Sequence, residues 1–171
     1  SPALRSYAGI AYDAVQRRVV LHGGLAIGPF GSYALNDTWS FATPLPADVA
    51  PFGVGCAGTA GTPALAAKPF ALPWLGDTMR NVVQTVPAAS LGAFFVSSFG
   101  STPPLSLAAF GMPGCDLLVP VDFAEFRVAT AGSAEWELAI PNTPSLAAAQ
   151  FRQQAFVIDA PANALGLVAS N

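Results

Sequence analysis

The sequence predicts an all-β protein: a β-meander followed by an antiparallel β-sandwich with one disulfide. Three observations carry that prediction. Gly and Pro each occur 16 times in 171 residues, and both interrupt helix interiors. Short β-branched and aromatic runs recur between clusters of turn-forming residues. One segment, Ser133 to Ile140, alternates cleanly: Ala134, Trp136, Leu138 and Ile140 fall on one face, and Glu135, Glu137 and Ala139 on the other.

The elements follow in order. Ser6 to Tyr12, with Tyr, Ile and Tyr, suits a first strand. Asp13-Ala14-Val15-Gln16 turns it into Arg17-Arg18-Val19-Val20-Leu21-His22, a strong β run closed by Gly23-Gly24. A Gly-rich loop is expected from Leu25 to Ala34. Leu35 to Phe41 forms a third strand, in which Trp39 and Phe41 share a face because they are two apart.

This order of Arg5, Ala11-Tyr12-Asp13, Arg18-Val19-Val20-Leu21-His22-Gly23-Gly24 and Asn36-Asp37-Thr38-Trp39 resembles one kelch repeat of the bacterial type. The resemblance implies a diglycine ending an inner strand and an Asn-Asp-Thr-Trp group opening the next. His22 stands where that family has an aromatic residue. One repeat is present, and a single propeller blade cannot close a propeller.

Pro44 to Pro51 holds three prolines and reads as an extended linker. The domains are therefore expected at 1–43 and 52–171, joined by 44–51. In the second domain Asp77 to Val86 is a strand in which Met79 and Val82 sit on opposite parities, so a bulge is expected. Leu91 to Phe99 is aromatic-rich and suits a central strand. Asp116 to Val119 is short and apolar. Pro144 to Gln150 favours one helical turn. Phe151 to Ile158 and Leu165 to Ser170 complete the sandwich.

Cys56 and Cys115 both lie in Gly-flanked loops. A pair in matching turn contexts reads as one disulfide rather than two thiols. Closing that loop is worth about 4 kcal/mol in the chain-entropy model.

Several pieces of this second part are similar to the C-terminal ends of secreted proteins of planctomycete-like and related marine bacteria. They are Gly55-Cys56-Ala57-Gly58-Thr59, Gly111-Met112-Pro113-Gly114-Cys115-Asp116, Ile140-Pro141-Asn142 and Gln153-Gln154-Ala155-Phe156. The resemblance implies secretion and an accessory C-terminal domain, with no assigned chemistry. Ala147-Ala148-Ala149 stands where the resemblance leads one to expect Gly.

Composition narrows function. Charged residues are 10% and hydrophobic residues 53%, against roughly 25% charged in an average domain. That balance excludes disorder. A net charge of -3 gives no footprint for nucleic acid. No apolar run reaches the roughly 20 residues that span a bilayer; Ala88 to Phe99 comes closest and is interrupted by Ser and Gly. The chain starts at Ser1 and reads as a mature product or a piece of a longer one. One lysine, Lys68, and few charges suit an extracellular or cell-surface setting.

No catalytic constellation is legible. His22 is the one histidine, and its strand position suits a structural role. Glu135 and Glu137 share the exposed face of one strand and read as a solvated face rather than a glycosidase pair. Asp13 and Asp37 lie in turns, where Asp bonds its own backbone. Gly53 to Gly58 matches a GxGxxG pattern but lacks the strand and helix that give it meaning. No metal and no cofactor are expected, since two Cys and one His give too few soft ligands. Trp39 and Trp136 are expected in the core. Trp74, Tyr33 and Phe30 are the candidate ligand-binding aromatics, each offering a face on which a sugar could stack.

The expectation is a non-enzymatic secreted or cell-surface accessory module, carbohydrate-binding or adhesive. Its partners would be a glycan or another surface protein, with no nucleic acid and no membrane span. Two alternatives compete: a fragment of a secreted glycan-active enzyme, and a structural domain that forms homo-oligomers through unpaired strand edges.

Overall fold

The computed structural model describes residues 2–13, 18–29, 31–42 and 47–171. They fall in two compact units, Ser1–Pro46 and Ala47–Asn171. Both are built of antiparallel strands. Of the expected linker, residues 44–46 lie outside the described residues, and 47–51 have no regular structure.

The first unit holds β1 (Gly9–Asp13), β2 (Arg18–His22), β3 (Leu25–Gly28), β4 (Gly31–Ala34) and β5 (Thr38–Ala42). A three-stranded sheet runs β1-β2-β5. Its register aligns Ile10 with Leu21 and Trp39, and Tyr12 with Val19 and Phe41. Because side chains alternate across a strand, these six residues share one face. The opposite face carries Ala11, Val20 and Ser40, with His22 and Thr38 beside them. The expected turn at Ala14-Val15-Gln16 lies outside the described residues.

The expected Gly-rich loop is instead a hairpin, β3 paired with β4 from Leu25↔Ala34 to Gly28↔Gly31. Gly28 and Gly31 frame a tight connection, and Leu25, Ile27 and Tyr33 supply β-forming residues on either side. The diglycine explains itself at the backbone. Gly23 adopts φ 64° and donates its N–H to Asp37 O at 3.0 Å. At Gly24 a Cβ would lie 2.8 Å from the Ser6 carbonyl oxygen.

The second unit holds β6 (Ala64–Ala67), β7 (Thr78–Gln84), β8 (Gly92–Ser98), β9 (Leu105–Ser106), β10 (Asp116–Leu117), β11 (Phe123–Val128), β12 (Ser133–Ala139), β13 (Arg152–Ile158) and β14 (Leu167–Ala169). One sheet runs β12-β7-β6 and another β11-β8-β13-β14, while β9 and β10 form a small pair. The two larger sheets pack face to face. Phe95 of β8 stacks on Trp136 of β12, ring centroids 6.5 Å apart. Val83, Ala93, Ala155 and Val157 are fully buried between them.

β12 alternates as expected, with Ala134 and Trp136 buried and Glu135 and Glu137 exposed. The bulge expected in β7 is absent. Its pairing with β12 is continuous from Thr78↔Ala139 to Gln84↔Ser133. Met79, Asn81 and Val83 face the core, and the polar member is accommodated by hydrogen bonding. Asn81 Nδ2 donates to Gln153 Oε1 at 2.8 Å, and Gln153 Nε2 donates to Ser97 Oγ at 3.1 Å. Two strands carry no clear pattern in the sequence, β6 and β9; a third, β11, lies outside the expected strands. The expected helical turn at 144–150 is a short 3-10 turn, Pro144–Leu146.

Cys56 and Cys115 form the expected disulfide. It fastens the excursion 105–121, which lies against the outer face of the four-stranded sheet. Gln154 secures the same excursion. It is fully buried on that outer face, accepts from Leu118 N at 2.9 Å, and donates from Nε2 to Asp116 O and Ser170 O at 3.0 Å each.

Candidate functional site

Two of the sequence-selected aromatics fall in different units. Tyr33 lies on β4 of the first unit, 53% exposed, with its ring over Gly28. Trp74 belongs to the second unit, in the tight loop before β7 where Asp77 N donates to Trp74 O. It is 39% exposed. Phe30 lies outside the described residues.

Glu135 and Glu137 point to solvent, and each is engaged by a cation: Lys68 Nζ with Glu135, and Arg80 Nε with Glu137 at 3.0 Å. His22 ends β2, and its Nδ1 shares a hydrogen bond with Thr38 Oγ1 at 2.8 Å. Gly53 to Gly58 is an irregular loop that carries Cys56.

The first unit contains a charged cluster that sequence reasoning misses. Arg5 Nη1 and Nη2 donate to the two oxygens of Asp37 at 2.6 and 2.9 Å. Trp39 Nε1 donates to Asp37 Oδ2 at 2.6 Å, and Arg5 Nη1 also reaches Gly23 O at 3.0 Å. The Arg5 guanidinium, then the Trp39 indole, hold the Asp37 carboxyl well below the usual carboxylate range. Arg5 is shifted upward by the same contact. Asp37 is thus more than the expected turn residue bonded to its own backbone. It is the acceptor of a bidentate pair, and both its oxygens are committed. Trp39, expected in the core, is half-buried, with its nitrogen on this carboxylate. Arg5 and Asp37 are 32 residues apart, so local pattern offers no signal for the pair. Among the described residues, no three His, Cys, Asp or Glu side chains gather where a metal ion could be held.

Two concavities of the second unit are lined by apolar side chains. On the outer face of the four-stranded sheet, Phe126, Phe94 and Phe156 lie abreast in register. The rings of Phe94 and Phe126 are 5.1 Å apart. Phe94, Val96, Ala124 and Phe156 floor an open groove of about 450 Å3. Leu105, Phe110, Val121 and Leu165 wall it, each about half exposed. A signal for this face exists in β11, where Ala124, Phe126 and Val128 fall on one parity.

A second concavity, about 310 Å3, opens at one end of the sandwich. Met79 and Leu138 line it from the three-stranded sheet, and Phe99 and Phe151 from the ends of β8 and β13. Pro73 and Leu75 close one side; Leu146 and Ala149 close another. Trp74 lies between two of these lining residues but lines neither concavity.

Fold and surfaces together define an all-β protein with a disulfide-bridged sandwich unit that carries two apolar concavities. No helix among the described residues is long and apolar enough to cross a membrane. No protein-family model, no curated protein and no solved structure matches the chain.

Proposed function

We propose that the chain is a non-enzymatic accessory module of a secreted or cell-surface protein, making adhesive contact with another protein through the apolar outer face of its sandwich. The groove carries this reading. Its floor and walls are aliphatic and aromatic, and about half of each wall side chain is in water. Contiguous exposed apolar surface of this kind marks protein interaction sites. A sugar site would need polar groups set among its aromatics, and the groove is lined by none. The disulfide supports an oxidising compartment. The resemblance to C-terminal domains of secreted proteins points the same way.

The test is selection from a displayed random-peptide library alongside a polysaccharide panel, using the whole chain. Saturable binding of apolar peptides, lost in Phe94→Ser and in Phe110→Ser, is the expected result. Polysaccharide binding lost in Trp74→Ala or Tyr33→Ala overturns it in favour of a glycan module. Turnover of any glycan overturns its non-enzymatic part.

One observation favours a second reading, self-assembly. The apolar face of the first sheet leaves Ile10 70% and Tyr12 49% exposed. A repeat of the kelch type needs a neighbouring sheet against such a face, and a second copy would supply one. Sedimentation showing a monomer over a wide concentration range counts against it.

A further inference from the structure

We infer that the concavity at the end of the sandwich is a binding site for a small uncharged ligand with an alkyl chain, distinct from the outer groove. Its size comes first. At about 310 Å3 it is roughly twice the engineered apolar cavity of ~150 Å3 that stays dry and takes up benzene. Its lining comes second. Every side chain around it is aliphatic, aromatic or proline, whereas a held water needs two to four polar partners. Poorly held water is displaced with gain by an apolar group. A charged group inside would find no partner, so the buried part of the ligand is neutral.

The walls differ in a way that suits entry. One side is braced by the backbone: Gly76 N donates to Ile140 O at 3.0 Å, and Ile140 N to Asp77 O at 2.8 Å. The floor is braced by aromatic packing. Phe151 stacks on Trp136 with centroids 5.7 Å apart and meets Phe99 edge-on at 5.4 Å. The opposite side is the strap 143–149. Its backbone bonds Thr143 N to Pro141 O, Leu146 N to Thr143 O, Ala147 N to Pro144 O and Ala149 N to Leu146 O stay within the segment 141–149. What the strap sets against the cavity is Leu146 and Ala149. It also carries Ala148 at φ 66°, a left-handed conformation that costs a residue with a Cβ. The strap is thus the wall that can yield to an incoming chain.

The experiment is calorimetric titration of the whole chain with straight-chain 1-alkanols from butanol to dodecanol. Each added methylene is expected to tighten Kd about fourfold, until the chain fills the cavity and the series levels off. Ala149→Phe, at an exposed position, fills the mouth and weakens binding at least tenfold. Leu146→Ala widens the cavity and moves the levelling point to a longer alkanol. No binding up to the solubility limit overturns the inference. So does a levelling point unmoved by Leu146→Ala. Binding that survives Ala149→Phe but is lost in Phe94→Ser places the alkanol in the outer groove, and also overturns it.

Discussion

The two units solve the same problem, holding antiparallel strands together, with different means. The sandwich unit does it by burial. Phe95, Val83, Val157 and Trp136 lie between two sheets, and a disulfide fastens an excursion over one of them. Among its described residues the first unit has no such interior. Ala26 is its one deeply buried hydrophobic side chain among the described residues. Its six-residue apolar face has a partly exposed aromatic in each row. What holds it is the strand ladder plus polar contacts, among them the brace of Arg5 and Trp39 on Asp37. Hydrophobic burial is the dominant driving force in folding, and a small sheet without a covered face is marginal. The comparison teaches that a sheet can be fully paired in the plane and still be incomplete perpendicular to it.

The disulfide gives the largest expected effect. Replacing Cys56 and Cys115 by Ala is expected to cost the sandwich about 4 kcal/mol, from loop closure in the unfolded chain. Urea denaturation followed by Trp fluorescence measures it. Hydrogen exchange resolves where the loss falls. Amides of β8, β13 and β14 lose protection, while those of β1, β2 and β5 keep theirs. Equal losses in both sets would break the comparison.

Gln154→Ala comes next. It removes one side chain and leaves Leu118 N–H, Asp116 C=O and Ser170 C=O without their buried partner. Unsatisfied buried groups cost about 1–3 kcal/mol, and the sandwich is expected to lose about 2 kcal/mol. The same denaturation reads it. An unchanged midpoint would mean that the excursion 105–121 is held by its disulfide rather than by this polar anchor.

These two results separate what is legible in the sequence from what is not. The sandwich is legible where information is local. The alternation in β12 is written in adjacent residues, and the two cysteines announce each other by matching contexts. Gln154 is unreadable because its partners come from an excursion that only the folded chain places over it. The same holds for the groove: β11 displays its apolar parity, but nothing local says that the face stays uncovered. Asn81 looks like a break in parity, because the core glutamine that answers it is 72 residues away. In the first unit β1, β2 and β5 are legible, while the hairpin of β3 and β4 and the polar brace are not. Strand position alone points Trp39 into a core, yet among the described residues of that unit only Ala26 is a deeply buried hydrophobic side chain.

The brace is tested by pH, with a smaller effect because the Asp37 side chain is partly exposed to solvent. Its folded pKa is depressed, so the pair stabilises the first unit above the ordinary carboxylate pKa of about 3.9. That contribution is lost as pH falls through the lower, folded value. Protection of the amides of Gly23 and Leu25 is therefore expected to be flat from about pH 5 upward and to decline below about pH 4. Asp37→Asn removes that decline and lowers protection at neutral pH. Raising the salt concentration weakens the wild-type brace. A pH profile identical in Asp37→Asn would show that the ladder alone holds the sheet.

The smallest effect separates strain from packing inside the sandwich unit. Ala148 sits at φ 66°, in the left-handed region that favours Gly. A Cβ there costs about 1–2 kcal/mol, while Gly enlarges the freedom of the unfolded chain by about 0.4–1 kcal/mol. The two oppose, so Ala148→Gly is expected to stabilise the unit by about 0.5 kcal/mol, a rise in the denaturation midpoint. The sign decides the point. The core is buried and the disulfide fixed whichever residue stands at 148, so a gain would show that the strap's backbone is strained independently of both. A loss would mean that Leu146 and Ala149, packing over the cavity, hold the strap in its left-handed turn. The added freedom of the unfolded chain would then outweigh the strain that glycine relieves.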